Sequence, residues 1–205
     1  MKRQSRLGFV DQASLVPQFW DVVGSSTEME FHPLDFLERL TWLRESVIYP
    51  LVAEHRGTRV RPIGDGDFFI FHSAMEAIKC AISAQTTAAR MQMWKRDKQK
   101  LKWRVGTHRG DVLIVGNNKN RDYYGDAVNV AARLQTVAPN GGIAISSEVY
   151  RDIQNRLGMP FDKMRWVNLG EKTFHSITRP IGVHTLAYKQ LVSSNWLSRV
   201  ASFLV

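Results

Sequence analysis

Asn129 and Arg133 stand four residues apart in the stretch Gly125-Asp126-Ala127-Val128-Asn129-Val130-Ala131-Ala132-Arg133-Leu134. In a helix that spacing puts both side chains on one face, one turn above the other. An amide and a guanidinium fixed side by side on a rigid element suit a polyanion undergoing chemistry. Two acids lie upstream. Asp65 occupies the tip of a Gly64-Asp65-Gly66 turn, within a stretch from Arg59 to Phe71 that reads as strand, tight turn, strand. Asp21 ends an apolar strand, where a side chain reaches a ligand beyond the sheet edge. The loop after it, Gly24-Ser25-Ser26-Thr27, is small enough for backbone N–H groups to approach phosphates. Each feature alone has a plainer reading: a solvated helix face, a turn residue, a strand-end cap, an ordinary polar loop.

The elements that must hold these residues follow from the pattern. Residues 1–15 carry little periodicity and read as an arm. Residues 16–23 are the first strand. Pro33 starts a helix on which Phe36, Leu37, Leu40, Leu43, Val47 and Ile48 recur at helical spacing, and Pro50 kinks or splits it. Gly57 ends it, and the Asp65 hairpin follows. Ser73 and Glu76 form a capping box for a helix running towards Trp94. Strand, turn and strand fill 101–115, with Gly110 in the turn. The Asn129 helix begins with Asp126 as its cap. A short strand spans Ile143 to Ile145, a helix runs from Ser147 to Ile153, and strands at 161–169 and 180–188 close a domain covering 16–190. Helices alternate with hairpins, which predicts an α+β fold with a largely antiparallel sheet. In the tail, 191–205, Trp196, Leu197, Val200, Ala201, Leu204 and Val205 recur at helical spacing. It can pack, pair with a partner or rest on a membrane surface. Packing is favoured, because the segment is short and carries one basic residue, Arg199.

With 205 residues, 44% of them hydrophobic, the chain can bury one sizeable core. No run of eighteen apolar residues is present, so no membrane span is expected. The single cysteine, Cys80, excludes an internal disulfide, and a cytoplasmic setting is the default. The net charge of +9 admits a nucleic-acid, anionic-membrane or phosphorylated small-molecule partner. No nucleic-acid-binding motif backs the first of these. The densest basic run, Lys95 to Lys102, reads as a solvated loop.

The three site stretches, in this order, resemble the catalytic domain of the class III nucleotidyl cyclases. The resemblance runs from about Phe19 to Leu186, and Gly125 to Leu134 is that family's most specific signature. It implies a ferredoxin-like core with flanking helices. It also implies attack of a ribose 3′-oxygen on the α-phosphorus of a nucleoside triphosphate, giving a 3′,5′-cyclic nucleotide and pyrophosphate. Asp21, the backbone carbonyl of Val22 and Asp65 match the ligands of two divalent ions, Mg²⁺ or Mn²⁺. Asn129 matches the residue that orients the ribose, and Arg133 the one that stabilises charge at the α-phosphate. In the family these two come from one subunit and the metal pair from the other, which implies a homodimer with shared sites. Asp67 matches no ligand position. A cation for the terminal phosphates is expected, with Lys172, Arg109 and His175 as candidates.

Two positions choose the base in this family. Arg61 stands where adenylate cyclases usually carry lysine, and Asp122 is an acceptor that adenylate cyclases also use. Asp122 can accept from adenine N6–H, cytosine N4–H or uracil N3–H. The bulk of a guanidinium tilts the reading towards a smaller base, and Arg59 could line the same pocket. The expectation is therefore a pyrimidine cyclase making cyclic UMP or cyclic CMP, resembling bacterial anti-phage enzymes whose product is read by a separate effector. A stand-alone adenylate cyclase remains open, as does a non-catalytic nucleotide- or nucleic-acid-binding domain. The last is disfavoured, because Asp21, Asp65, Asn129 and Arg133 are all present.

Overall fold

The apolar run that ends at Asp21 is the second half of a fifteen-residue strand, β2 (Gly8–Val22). A computed structural model describes this strand and the rest of residues 3–5, 8–91, 100–117, 120–154, 156 and 164–187. The first half of β2 pairs with β1 (Arg3–Ser5) and with β6 (Gly110–Val115), both antiparallel. The strand therefore starts well before residue 16. Asp11 breaks the alternation there, which leaves Ala13 and Leu15 facing inward between exposed Gln12 and Ser14, a run too short to stand out as a strand. The tail from 191 onward and most of the Lys95–Lys102 run lie outside the described residues.

Past Leu15, β2 passes between β4 (Gly66–Phe71) and β5 (Trp103–Thr107). With β3 (Thr58–Ile63), β8 (Ile143–Ser146), β9 (Val167–Lys172) and β10 (Ile181–Leu186), the order is β3-β4-β2-β5-β8-β10-β9. β7 (Asp122–Tyr124) extends β6 on the side branch. Of the described pairs, β5 with β8 is parallel and the others are antiparallel. This is the α+β architecture expected.

Alternation along the strands divides the side chains between two faces. Trp20, Val22, Phe69, Phe71, Trp103, Val105 and Ile145 point to the larger core. Helices α2 (Pro33–Leu43), α3 (Tyr49–Glu54), α4 (Ala74–Met91) and α6 (Ser147–Ile153) cover that face. The other face holds α5 (Asp126–Val137), with Val130 and Leu134 against Ala144 and Val183, and Ala127 against Phe68 and Ile70. Asp21 and Arg104 alternate with Trp20 and Trp103, so they lie on the α5 face.

Several local signals resolve differently from their sequence reading. Gly24-Ser25-Ser26-Thr27 is not an open loop: α1 begins at Ser25 and runs to Phe31. Pro50 does split the long helix, sitting in the first turn of α3 where its missing N–H costs nothing. The join is a π-helical turn, Arg44–Ile48. Half of the predicted capping box forms, with the Ser73 hydroxyl accepting from the Glu76 amide at 3.4 Å. The Glu76 carboxylate instead meets His55 Nδ1 at 2.8 Å. Asp126 does not cap α5; Gly125 is the N-cap residue, and the Asp126 side chain faces Arg179 at 3.9 Å.

Candidate active site

Strand pairing brings the two predicted metal carboxylates together. Asp21 is the penultimate residue of β2, and Asp65 lies in the turn joining β3 to β4, the neighbour of β2. Gly64 takes φ +61°, the left-handed conformation that a glycine adopts cheaply, and so lets the hairpin close around Asp65. The Val22 amide donates to Asp65 Oδ2 at 3.3 Å. The strand end and the turn tip thus form one acidic corner.

Across the ladder from Asp21 stands Arg104 on β5, and the two side chains form an ion pair. Arg104 Nε is buried without a hydrogen-bond partner among the described residues, while the side chain as a whole is partly exposed. A partly exposed guanidinium beside the acids suits a phosphate oxygen brought there by a metal. Sequence reading missed Arg104, because a charged residue amid the apolar strand Trp103–Thr107 resembles any outward-facing strand position. The signal is its register opposite Asp21. Of the candidates named from sequence, Arg109 lies beyond the end of β5 remote from Asp21 and pairs with Asp152 at 2.7 Å. Lys172 ends the exposed strand β9, and the His175 imidazole faces its neighbour Ser176 at 2.8 Å. The structure brings none of these three to the acids.

No group of three His, Cys, Asp or Glu side chains converges among the described residues. A divalent ion at the acidic corner would draw on two carboxylates, a main-chain oxygen and substrate oxygens. That all-oxygen donor set fits Mg²⁺ or Mn²⁺. Asp67 cannot substitute, because it is fully buried on the opposite face of β4, bonded to Arg44 and Tyr49. Burial pushes its carboxyl above the ordinary value, against the pull of Arg44, and burial with the Asp67 charge pushes the Tyr49 phenol up to about 12.

The two positions expected to select the base also meet within one chain. Arg61 on β3 and Asp122 on β7 form an ion pair, although 61 positions separate them. Asp122 Oδ1 also accepts from the Tyr123 amide, and Oδ2 accepts from the Tyr124 hydroxyl, both at 2.8 Å. Burial opposes ionisation of Asp122, but the hydrogen bonds from Tyr124, Arg61 and the Tyr123 amide prevail and hold its carboxyl below the ordinary value. Tyr124 joins this cluster and was not singled out from the sequence. Arg59 does not join it. A bulge between Arg59 and Arg61 changes the register, and the Arg59 guanidinium stacks 3.9 Å over the Tyr49 ring.

Asn129 and Arg133 project from the exposed side of α5, opposite the buried stripe Ala127, Val130, Ala131 and Leu134. Among the described residues neither side chain forms a hydrogen bond or ion pair. What fixes them is the seat of the helix. A Cβ on Gly106 of β5 would come within 2.1 Å of the Gln135 amide nitrogen and 2.3 Å of the Ala131 carbonyl oxygen. The helix backbone therefore rests directly on the strand that carries Arg104, two residues away.

The profile of the adenylate and guanylate cyclase catalytic domain matches residues 10–176. The chain belongs to this family. The cyclase chain is 31% identical to a putative adenylate cyclase 3 of Rhizobium meliloti over 169 residues, 82% of its own length but 27% of the relative's. Among solved structures, an adenylate/guanylate cyclase/hydrolase from Silicibacter pomeroyi superposes with a TM-score of 0.74 at 30% identity, covering 86% of the cyclase chain and 98% of that protein. The adenylyl cyclase CyaB from P. aeruginosa shares the fold at 21% identity, with a TM-score of 0.72 over 86% of this chain and 95% of that one. No helix of the described residues is long and apolar enough to cross a membrane.

Proposed function

We propose that this chain is a metal-dependent nucleotidyl cyclase, acting as a homodimer, with a pyrimidine nucleoside triphosphate as substrate. The observation that carries the reading is the acidic corner, where the Val22 amide ties Asp65 to the strand end of Asp21 and Arg104 stands beside both. Asp21, Asp65 and the Val22 carbonyl would hold two divalent ions, which when bound would supply Lewis acidity that acidifies the 3′-hydroxyl and neutralises phosphate charge. Arg104 binds the terminal phosphates. Asn129 of the partner subunit orients the ribose. The partner subunit's Arg133 stabilises negative charge on the α-phosphate as the 3′-oxygen bonds to phosphorus and the bond to the bridging oxygen breaks. The 3′-hydroxyl proton is released, and pyrophosphate leaves.

The pyrimidine assignment rests on Arg61, Asp122 and Tyr124. A guanidinium and a phenol both bond Asp122, at Oδ1 and Oδ2, and their bulk beside it favours a single-ring base. Asp122 accepts from uracil N3–H or cytosine N4–H, and Arg61 donates to a ring carbonyl. The cyclic nucleotide then serves as a second messenger read by a separate effector, the arrangement of bacterial anti-phage defence. A second reading, ATP to cyclic AMP, has its own support in the adenylate cyclase name of the Rhizobium relative. Incubation with Mn²⁺ and ATP, GTP, CTP or UTP separately, with products identified by mass, decides. Cyclic UMP or cyclic CMP supports the pyrimidine reading. Cyclic AMP alone replaces it, and no product from any of the four contradicts the cyclase assignment for the chain by itself.

A further inference from the structure

The underside of the Asp65 turn is occupied by a buried polar cluster that the reaction itself does not call for. Arg44 donates from Nε to Asp67 Oδ2 at 2.8 Å, and from Nη2 to the Gly66 carbonyl at 2.8 Å and the Gly64 carbonyl at 3.4 Å. One guanidinium thus grips the main chain on both sides of Asp65. Tyr49 donates its hydroxyl to the other Asp67 oxygen, Oδ1, at 3.0 Å. The Arg59 guanidinium closes the cluster over the Tyr49 ring.

Arg44 and Tyr49 bracket the π-helical turn. Five residues along an α-helix lie about 140° apart around the axis, and the two side chains would diverge. The wider turn closes residue i onto i+5, and here the Tyr49 amide bonds to the Arg44 carbonyl. Both side chains then reach the two oxygens of one carboxylate. The irregularity in the helix has a geometric result, and that result lies two residues from a metal ligand.

We propose that the π turn with Arg44, Tyr49 and Asp67 is a positioning device for the metal site, which clamps the Gly64-Asp65-Gly66 turn so that the Asp65 carboxylate meets the ion alongside Asp21. The inference rests on the reading of Asp21 and Asp65 as metal ligands. A buried ion pair kept for stability alone would be served as well by apolar side chains of similar volume. The contacts to the two turn carbonyls separate the proposals, because apolar side chains cannot make them.

The test is Mn²⁺ binding by the full chain, measured as loss of the free-ion paramagnetic resonance signal, beside the Mn²⁺ concentration for half-maximal turnover. The variants are Asp65→Ala and the triple substitution Arg44→Met, Tyr49→Phe, Asp67→Leu, which leaves no lone buried charge. The triple variant is expected to melt no lower than the parent, bind Mn²⁺ about tenfold more weakly and recover near-parental kcat at saturating Mn²⁺. Parental Mn²⁺ affinity in the triple variant, with binding lost in Asp65→Ala, overturns the clamp and leaves the metal assignment standing. Parental affinity in Asp65→Ala overturns both. Should the triple variant not fold, Arg44→Lys decides by the same readout, because lysine keeps a positive charge beside Asp67 without the fork that reaches the turn carbonyls: a weaker Mn²⁺ affinity supports the clamp, and an unchanged one overturns it.

Discussion

The Asp65 turn and the exposed face of α5, the two halves of the proposed site, are built in opposite ways. The turn is held from both sides, by the Val22 amide above and Arg44 below, and Asp21 is paired with Arg104. On α5, Asn129 and Arg133 stand in solvent without partners among the described residues, while the helix beneath them is locked onto Gly106. Exposed, unpaired polar groups on a rigid helix gain from meeting a ligand presented by another surface. A carboxylate pair closed within one chain needs no such surface. The contrast fits the proposal that one chain contains both halves and a second copy brings them together.

The largest effect belongs to the closed half. Asp65→Ala should lower turnover on the order of 10³-fold, about 4 kcal/mol of transition-state stabilisation, with the circular dichroism spectrum and subunit association unchanged. Turnover within a few-fold of the parent would remove Asp65 from the site. Next comes the seat of the open half. Gly106→Ala drives a methyl group into the α5 backbone and should displace Asn129 and Arg133 enough to lower kcat about 10²-fold. If kcat is unaffected, the helix has room to shift and its rigidity plays no part. A substitution at Arg61 should act more mildly. Arg61→Ala leaves Asp122 with its Tyr124 and Tyr123 bonds and should raise KM about tenfold while weakening discrimination among the four triphosphates. Unchanged discrimination would move base selection elsewhere.

The last prediction concerns stability rather than turnover and tests a region outside both halves. His108 is buried, with Nδ1 2.8 Å from the Ser146 hydroxyl, and burial, opposed by the Glu148 charge, pushes its pKa down to about 4 from 6.5. The unfolded chain takes up this proton below 6.5 and the folded chain only below about 4. Stability is therefore complete above 6.5 and is lost as pH falls through that window, by on the order of 3 kcal/mol. Denaturant titrations between pH 7 and 5 should show this slope in the parent and lack it in His108→Asn. An equal slope in both would place the sensitivity in other groups.

How much of this was legible in the sequence differs by element. Periodicity located α2, α4 and α5, and turn residues located the Asp65 hairpin, because each of those signals is local. Asn129 and Arg133 were legible for the same reason: their relation is fixed by helical spacing. The first half of β2 was not, since its partner is β6, about a hundred residues away, and Asp11 cuts its alternation to the short run from Gln12 to Leu15. Arg104 was missed because it owes its place to a contact across strands, whereas Tyr124 bonds Asp122 two residues along the same strand, a spacing that puts both on one face and was legible but not read. The role of Asp67 was hidden by a helix irregularity: Val47 and Ile48 continue the apolar pattern straight through the π turn, and Pro50 marks a break without revealing its geometry. The Asp126 cap failed because Gly125 took the position, leaving the carboxylate to Arg179.

The contrast between a closed and an open half predicts that the two are complementary between chains. Asp65→Ala and Asn129→Ala proteins should each be inactive alone. Mixed in equal amounts under conditions that let subunits exchange, half of the dimers pair one of each, and every such dimer holds one intact site. Turnover should then return to about a quarter of the parental value. A mixture that exchanges subunits and stays inactive would contradict the shared site, and with it the account of why Asn129 and Arg133 stand unpaired.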